Sequence, residues 1–418
     1  MRDLQQMLDR QLGEVPKLIL NEAIKDKLRA AGIDPSDELV GQLVEHALSG
    51  NSDSFMWDDG SENKTQVSLS FNAEDIAELE EKCAGFTSSI PKMIDDISDS
   101  IAESLVKTLK KDWRKEYSLQ INDRKGFRSR LERRWGKALG KLRILLTVSL
   151  ELGSEYTTSE SCQDSPLRDV LVRLHVRACQ VAAEVITLME NGFADGAMAR
   201  WRTLHEISIV AVLVAQHGRP LAERYVAHRA VEAKAGKEQF ALCYEQLGYA
   251  PLAEEECREI DEAYDRVIAQ FGKEFRLPYG WAAGFVPKNR RGVIGLAELE
   301  AAAGRSALAS HYKLASHNVH AGPYALFFRL GLIDDSVLLA GSSNAGLSEP
   351  GQNTAVSLAL ITILTVADKG TLDGVVAMKL IQLLKHDISK AFVKAEEALK
   401  ADHVVHSRKN AIPEERVE

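Results

Sequence analysis

Aromatic residues make up only 6% of this chain, and its five cysteines are odd in number, scattered and never arranged as C-x-x-C. That pattern excludes a disulfide framework and a cysteine-based zinc site, and reads as reduced thiols in a cytoplasm. No apolar run reaches bilayer length. The longest, Ala355–Ala367, suits a buried helix better than a membrane span. Charges recur from Arg2 to Arg29, so no secretory leader is expected at the N-terminus. Several motifs are missing as well. Without E-x-x-H or H-E-x-x-H there is no helical di-iron or zincin pattern. Without G-x-S-x-G, a P-loop or G-x-G-x-x-G, the common serine hydrolases and nucleotide folds are disfavoured.

What is present is helix-forming. Ala, Leu, Val and Glu dominate, with 45% hydrophobic and 27% charged residues over 418 positions, the balance of an ordinary globular protein. The net charge of −9 conceals a polarity. Residues 1–106 hold 9 Lys/Arg against 22 Asp/Glu, whereas residues 107–143 hold 14 against 4. A basic block inside an acidic protein calls for a partner, either nucleic acid or the chain's own acidic N-terminal part.

The periodicity predicts a mainly α protein: a C-terminal helical bundle and a small N-terminal helical module containing a β-hairpin. Three regions are expected. Residues 1–72 form the accessory module, with alternation at Ser54–Trp57 and Thr65–Phe71 flanking a DDGSENK turn as the hairpin. Residues 73–152 form a short helix behind an Asn cap and two longer ones. One runs about Pro91–Tyr117 with Ile94, Ile97, Ile101, Leu105 and Leu109 in a stripe; the other starts after Asn122-Asp123. The polar stretch 153–166 is read as a boundary. Residues 165–400 then form the bundle, interrupted by the Gly-, Pro- and aromatic-containing loop Phe275–Gly295.

Arg128, Arg133 and Arg134 in the basic block are candidate nucleic-acid contacts, with Trp113 and Trp135 interleaved as a surface for phosphate and bases. Loop residues Lys288, Arg290 and Arg291 add positive potential. A solvated, salt-bridged face is the competing explanation. The densest chemistry lies at His311–Pro323 (HYKLASHNVHAGP), which holds three of the eleven histidines. Lys313, Ser316 and His320 fall at i, i+3 and i+7, on one helical face, and Gly322-Pro323 supplies a stop. On the helix MARWRTLHEISIVAVLVA, Arg202 and Glu206 stand at i, i+4 before a wholly apolar segment. Charges there should be paired, because an unpaired buried charge is costly.

RTLHE (202–206), YGWA (279–282) and the run from Tyr312 through Ser316 to His320, ending in VHAG, resemble a bacterial helical domain family of unknown function. In that family a helix with an R-S/T-L-x-E pattern precedes a Y-R-x-L-S-x-x-V-H helix, and the resemblance spans about residues 165–400. The second helix is also similar to the signature of HEPN domains, helical bundles that often act as metal-independent RNases. That signature is an Arg, four to six residues, then a His commonly followed by a small residue. Here Lys313 stands where the Arg would be, six residues intervene, and His320-Ala321-Gly322 completes it. Lysine keeps the charge and loses the planar fork that grips phosphate bidentately. Arg200–His205 and Arg305–His311 fit the same permissive spacing.

The resemblance implies a HEPN-like RNA-cleaving or RNA-binding protein, of the toxin or phage-defence kind. His320 would move protons at the ribose 2′-OH and the leaving oxygen, with Lys313 and Arg202 stabilising the phosphate and Ser316 and Glu206 completing the site. The alternative is a non-catalytic helical interaction module in which the same residues hold helices together. Expected partners are RNA and a second copy of the chain. No membrane, metal or cofactor is expected, and the location is read as cytoplasmic.

Overall fold

The computed structural model describes residues 4–50, 54–57, 68–158, 165–320, 322–333, 338–367 and 371–410. Among these the regular structure is helical and contains no strand, apart from an isolated bridge between Ala283 and Val286. Two compact units are present, Met1–Leu119 and Gln120–Glu418.

In the first unit, α1 (Leu4–Ala30) and α2 (Asp37–Ser49) form a helical pair. The Ser36 hydroxyl caps α2 by accepting from the Leu39 amide at 3.3 Å, and Gly50 ends it in the left-handed conformation, φ 63°. Ile24, Leu28, Leu39, Val40 and Val44 form the core of the pair, and Phe55, Trp57, Leu69 and Phe71 pack against it. Those last four come from the segments expected to form a hairpin. Residues 54–57 and 68–71 make no ladder, and the predicted turn, with residues 65–67, lies outside the described residues.

Helix α3 (Ala73–Thr158) is continuous where the sequence predicted three helices. Its start is an Asn72 cap, with Oδ1 accepting from Glu74 and Asp75 amides at 2.9 Å while Asp75 Oδ2 accepts from the Asn72 amide at 2.8 Å. Pro91 and the Asn122-Asp123 pair sit inside it without ending it. Neither stop is decisive, because a single poor helix former costs less than nucleating a new helix. The helix also runs to Thr158, past the start of the stretch read as a boundary; residues 159–164 lie outside the described residues.

In the second unit, α4 (Pro166–Glu190) and α5 (Ala194–His217) are joined by a turn at Asn191–Phe193. Short helices follow: α6 (Arg219–Ala227), α7 (Arg229–Ala241) and α8 (Glu254–Phe271). After a loop come α9 (Leu296–Ala302), α10 (Ala309–His317) and α11 (Tyr324–Phe327). The chain then returns to the bundle as α12 (Ser348–Val366) and α13 (Leu372–Asn410). Helix α5 is central, as its apolar run predicts: Trp201, Leu204, Ile209, Leu213 and Val214 are fully enclosed. At roughly 1.5–3 kcal/mol per large apolar side chain buried, this face outweighs the surface ion pairs, each worth about 0–1 kcal/mol.

The loop after α8 is tightly held. Arg224 of α6 donates to the carbonyls of Trp281 (2.9 Å) and Gly280 (3.0 Å), and its guanidinium lies over Phe271 and Phe275. His228 Nε2 donates to the Leu277 carbonyl at 2.9 Å. Gly280 is required by close approach, since a Cβ there would lie 2.4 Å from the Phe275 carbonyl oxygen.

Candidate functional site

Helix α10 crosses the polar end of α5, and Tyr312 is where they meet. Its hydroxyl accepts from Arg202 Nη2 at 2.7 Å and donates to Glu206 Oε1 at 2.5 Å. The Arg202 guanidinium also sits 4.5 Å from the centre of the Tyr312 ring. Burial, with the neighbouring Glu206 carboxylate, pushes the phenol up to about 12, so the hydroxyl keeps its proton and remains a donor. Arg202 and Glu206 therefore do not simply pair with each other along α5. They converge on a side chain from another helix.

Beneath this bridge, His205 Nε2 lies 2.9 Å from Glu300 Oε1 of α9, with both groups buried. Burial, reinforced by the Arg305 charge, lowers the imidazole to about 4. Burial, reinforced by Glu206, raises the Glu300 carboxyl above its ordinary range. The imidazole is thus uncharged at neutral pH, and one proton lies between the two groups. Trp201 and Tyr312 flank the imidazole, their ring centres 5.1 and 5.6 Å away. Arg202 Nε, His205 Nδ1, and Arg305 Nε and Nη2 are buried without a hydrogen-bond partner among the described residues. The guanidinium nitrogens among them are donors and give the region capacity for additional acceptors.

The three histidines of the 311–320 run have separate surroundings. His311 Nδ1 accepts from Asn353 Nδ2 at 3.0 Å, tying α10 to α12. His317 packs against Tyr324 in a tilted pair with ring centres 4.6 Å apart, and Tyr324 in turn packs, also tilted, against Phe328 at 5.4 Å. His320 is exposed, as is Lys313, and neither makes a hydrogen bond or ion pair through its side chain among the described residues. Ser316 donates its hydroxyl to the Tyr312 carbonyl of its own helix at 2.8 Å. Helix α10 ends at His317, a turn earlier than predicted. The amides of Asn318 and Val319 turn to carbonyls three residues back, so His320 stands past the helix end. Ala321 lies outside the described residues.

The candidate nucleic-acid residues also divide. Arg128 and Arg133 are exposed on α3, whereas Arg134 is ion-paired with Asp402 of α13. Nearby, Lys141 pairs with Asp387 at 3.1 Å and Arg143 with Glu190. Trp135 does not interleave with these charges on the surface: it is fully buried, donating from Nε1 to the Asn344 carbonyl at 3.0 Å. Its position follows the apolar face of α3 formed by Leu131, Leu139 and Leu142. Lys288 pairs with Glu274 at 2.6 Å, while Arg290 and Arg291 are exposed. Among the described residues no group of three or more His, Cys, Asp or Glu could hold a metal ion, and no helix is long and apolar enough to cross a membrane.

Sequence reasoning did not single out Tyr312, Glu300 or Arg305 as site residues. Tyr312 was within reach, since it lies on the Ser316 face of α10. Glu300 is 95 positions from His205, and no local spacing announces that contact.

Residues 168–336 match a family of unknown function (DUF5677). That segment contains α5 to α11 and nearly all of α4, together with Arg202, Glu206, Tyr312 and His320. No curated protein and no solved structure matches the chain.

Proposed function

We propose that the chain is an RNA-binding protein whose α10–α11 surface acts on single-stranded RNA as a HEPN-like endoribonuclease. The observation that supports this reading is the exposed group at the end of α10. Lys313 and His320 are exposed, and the tilted ring cluster of His317, Tyr324 and Phe328 adjoins them in sequence, with Phe327 also exposed. Aromatic faces beside a cation suit unstacked bases and their phosphates, with about 1–3 kcal/mol available per stacked base. In the reaction, the ribose 2′-oxygen attacks phosphorus and the bond to the 5′-oxygen breaks, leaving a 2′,3′-cyclic phosphate and a 5′-hydroxyl. His320 takes the 2′-OH proton and returns a proton to the leaving oxygen. Lys313 carries charge developing on the phosphoryl oxygens. Arg202, Glu206 and Tyr312 fix α10 against α5, and Ser316, its hydroxyl engaged with the helix backbone, contributes position rather than chemistry.

The test is incubation of the purified chain with total RNA, with and without chelator. Cleavage that survives chelation is expected. His320→Ala should slow it about 100- to 10,000-fold with the melting temperature nearly unchanged, because an exposed imidazole contributes little packing. Lys313→Arg should retain or raise activity by restoring the bidentate fork. A second reading, a non-catalytic helical interaction module, is favoured by the closed Arg202–Tyr312–Glu206 and His205–Glu300 contacts. Absence of cleavage and of RNA binding by the parent chain would leave that reading in place.

A further inference from the structure

The turn that ends α9 breaks a local rule. Gly304 takes the left-handed conformation, φ 63°, and its amide bonds back to the Ala301 carbonyl at 3.1 Å. The Arg305 amide reaches the Glu300 carbonyl at 2.7 Å. This is the Schellman arrangement, in which the residue after the glycine commonly makes an apolar contact with the last turn of the helix. Here the two positions that would meet are Arg305 and Glu300. Glu300 is buried and Arg305 half-buried. Breaches of local preference of this kind are expected at functional sites.

Glu300 has a partner in His205; Arg305 has none. Among the described residues Arg305 forms no ion pair, and its Nε and Nη2 are buried without an acceptor. Burial pushes the guanidinium below its ordinary range, and no carboxylate offsets that shift. Nε and Nη2 form one edge of the guanidinium, two parallel N–H groups spaced for the two oxygens of one carboxylate. Arg143 presents the same two atoms to Glu190. Arg305 is near enough to His205 for its charge to act on the imidazole. His205 is fully enclosed with Nδ1 unpartnered, and Arg202 Nε is a further unused donor. The Arg202 charge is already answered by Glu206 through Tyr312, so one cation stands uncompensated. The cluster reaches solvent, because Arg202, Glu206, Tyr279, Arg305 and Tyr312 are only half-buried.

We propose that this cluster binds a small monocarboxylate, gripped side-on by the Arg305 fork. A single uncompensated buried charge calls for a monoanion. The fork calls for a pair of oxygens in its own plane, which a carboxylate supplies. The neighbouring Glu206 and Glu300 carboxyls disfavour a phosphate dianion. Arg202 Nε and His205 Nδ1 remain to orient the rest of the ligand. The site owes nothing to His320 or Lys313, and its test needs no RNA.

The full chain is melted at neutral pH and constant ionic strength in rising acetate, with chloride and inorganic phosphate as comparison anions. Acetate should raise the midpoint along a saturable curve in roughly the millimolar range, as suits so small a probe. Chloride should not. Arg305→Gln and Arg305→Lys should each weaken acetate binding at least about tenfold, since lysine keeps the charge and loses the fork. Arg266→Gln, which removes an exposed cation of α8, should leave it unchanged. In chloride alone Arg305→Gln should melt higher than the parent by roughly 2–4 °C, because an uncompensated buried charge has been removed. A side chain that only holds α9 to its neighbours would lower the midpoint instead. Circular dichroism of each variant confirms that it is folded. An unsaturable rise shared with chloride, or a rise retained by Arg305→Lys, overturns the proposal. So does tighter binding of phosphate than of acetate, or a lowered midpoint for Arg305→Gln in chloride.

Discussion

Tyr312 shows how much of the site one atom carries. Its hydroxyl is the shared partner of Arg202 and Glu206, so Tyr312→Phe strands both while keeping the ring. We expect a loss of about 1–2 kcal/mol in urea unfolding, toward the lower end of the cost of an unsatisfied polar group because water reaches both partners. Glycine 280 makes a different residue-scale prediction. Its Cα faces two backbone carbonyls, so Gly280→Ala should cost about 1–3 kcal/mol through overpacking. His175 gives a pH signature. Buried between α4 and α12, 3.3 Å from Thr362 Oγ1, its imidazole is lowered by burial to about 4. The unfolded chain therefore binds a proton that the folded chain refuses, across the interval from about 6.5 down to about 4. Stability should be full near neutrality and fall as pH drops through that window, by on the order of 3 kcal/mol. His205 acts in the same direction, but the raised carboxyl of Glu300 acts against it, its contribution being lost as pH rises. Comparing urea midpoints of wild type and His175→Asn at pH 7 and pH 4.5 isolates the first effect. A slope unchanged in the variant would assign the acid sensitivity elsewhere.

At the scale of elements, the fold was legible wherever an apolar period was long and uninterrupted. Helices α4, α5 and α8 are bounded by Pro166, Gly192, Gly218 and Gly272, residues whose punctuation can be read directly from the sequence. Reading failed where weak local signals competed with continuity. Asn122-Asp123 looks like a break, yet α3 runs through it, since Phe127, Leu131 and Trp135 just beyond are packed into the second unit's core. Pro220–Leu247 looks like one helix, yet the chain bends at His228, whose imidazole is committed to the Leu277 carbonyl. That second case shows why long-range polar contacts are invisible to spacing: the partner lies 49 positions away. The site followed the same rule. The i, i+4 relation of Arg202 and Glu206 was readable, and what they hold was not. The clamp on the 275–285 loop yields an element-scale prediction. Arg224→Ala removes both carbonyl contacts and the cation over Phe271 and Phe275. Limited proteolysis should then cut the loop at least several-fold faster, while the helical circular dichroism signal persists. Equal cleavage rates would show that the aromatic packing alone holds the loop.

For the whole molecule, the C-terminal end of the basic block is partly committed to ion pairs within the second unit. Arg134, Lys141 and Arg143 are paired with acidic groups of α13 and α4, whereas Arg128 and Arg133, like Arg124, Lys125, Arg130 and Lys137 around them, face solvent. If RNA is bound there, replacing Arg128 and Arg133 by Ser should weaken binding and lower the log–log salt slope by about 1.4, near 0.7 for each lost single-strand phosphate contact. Arg134→Ser should leave that slope nearly unchanged and act on stability instead. A slope that responds equally to all three would mean the Arg134–Asp402 pair opens for RNA.

Phe392 joins these layers in one further way. Its ring occupies the space above Gly351 of α12, where a Cβ would come within 2.3 Å of it, and faces the buried Trp135 of α3 at 6.0 Å. The ring therefore works as a detent. For α13 to slip along α12 by one helical turn, about 5.4 Å, the ring would have to climb out of its notch and meet side chains on either side. The Asp387–Lys141 and Asp402–Arg134 pairs would be pulled out of alignment together. Helix α13 is thus keyed longitudinally: it can lift away or stay, with no intermediate stop between.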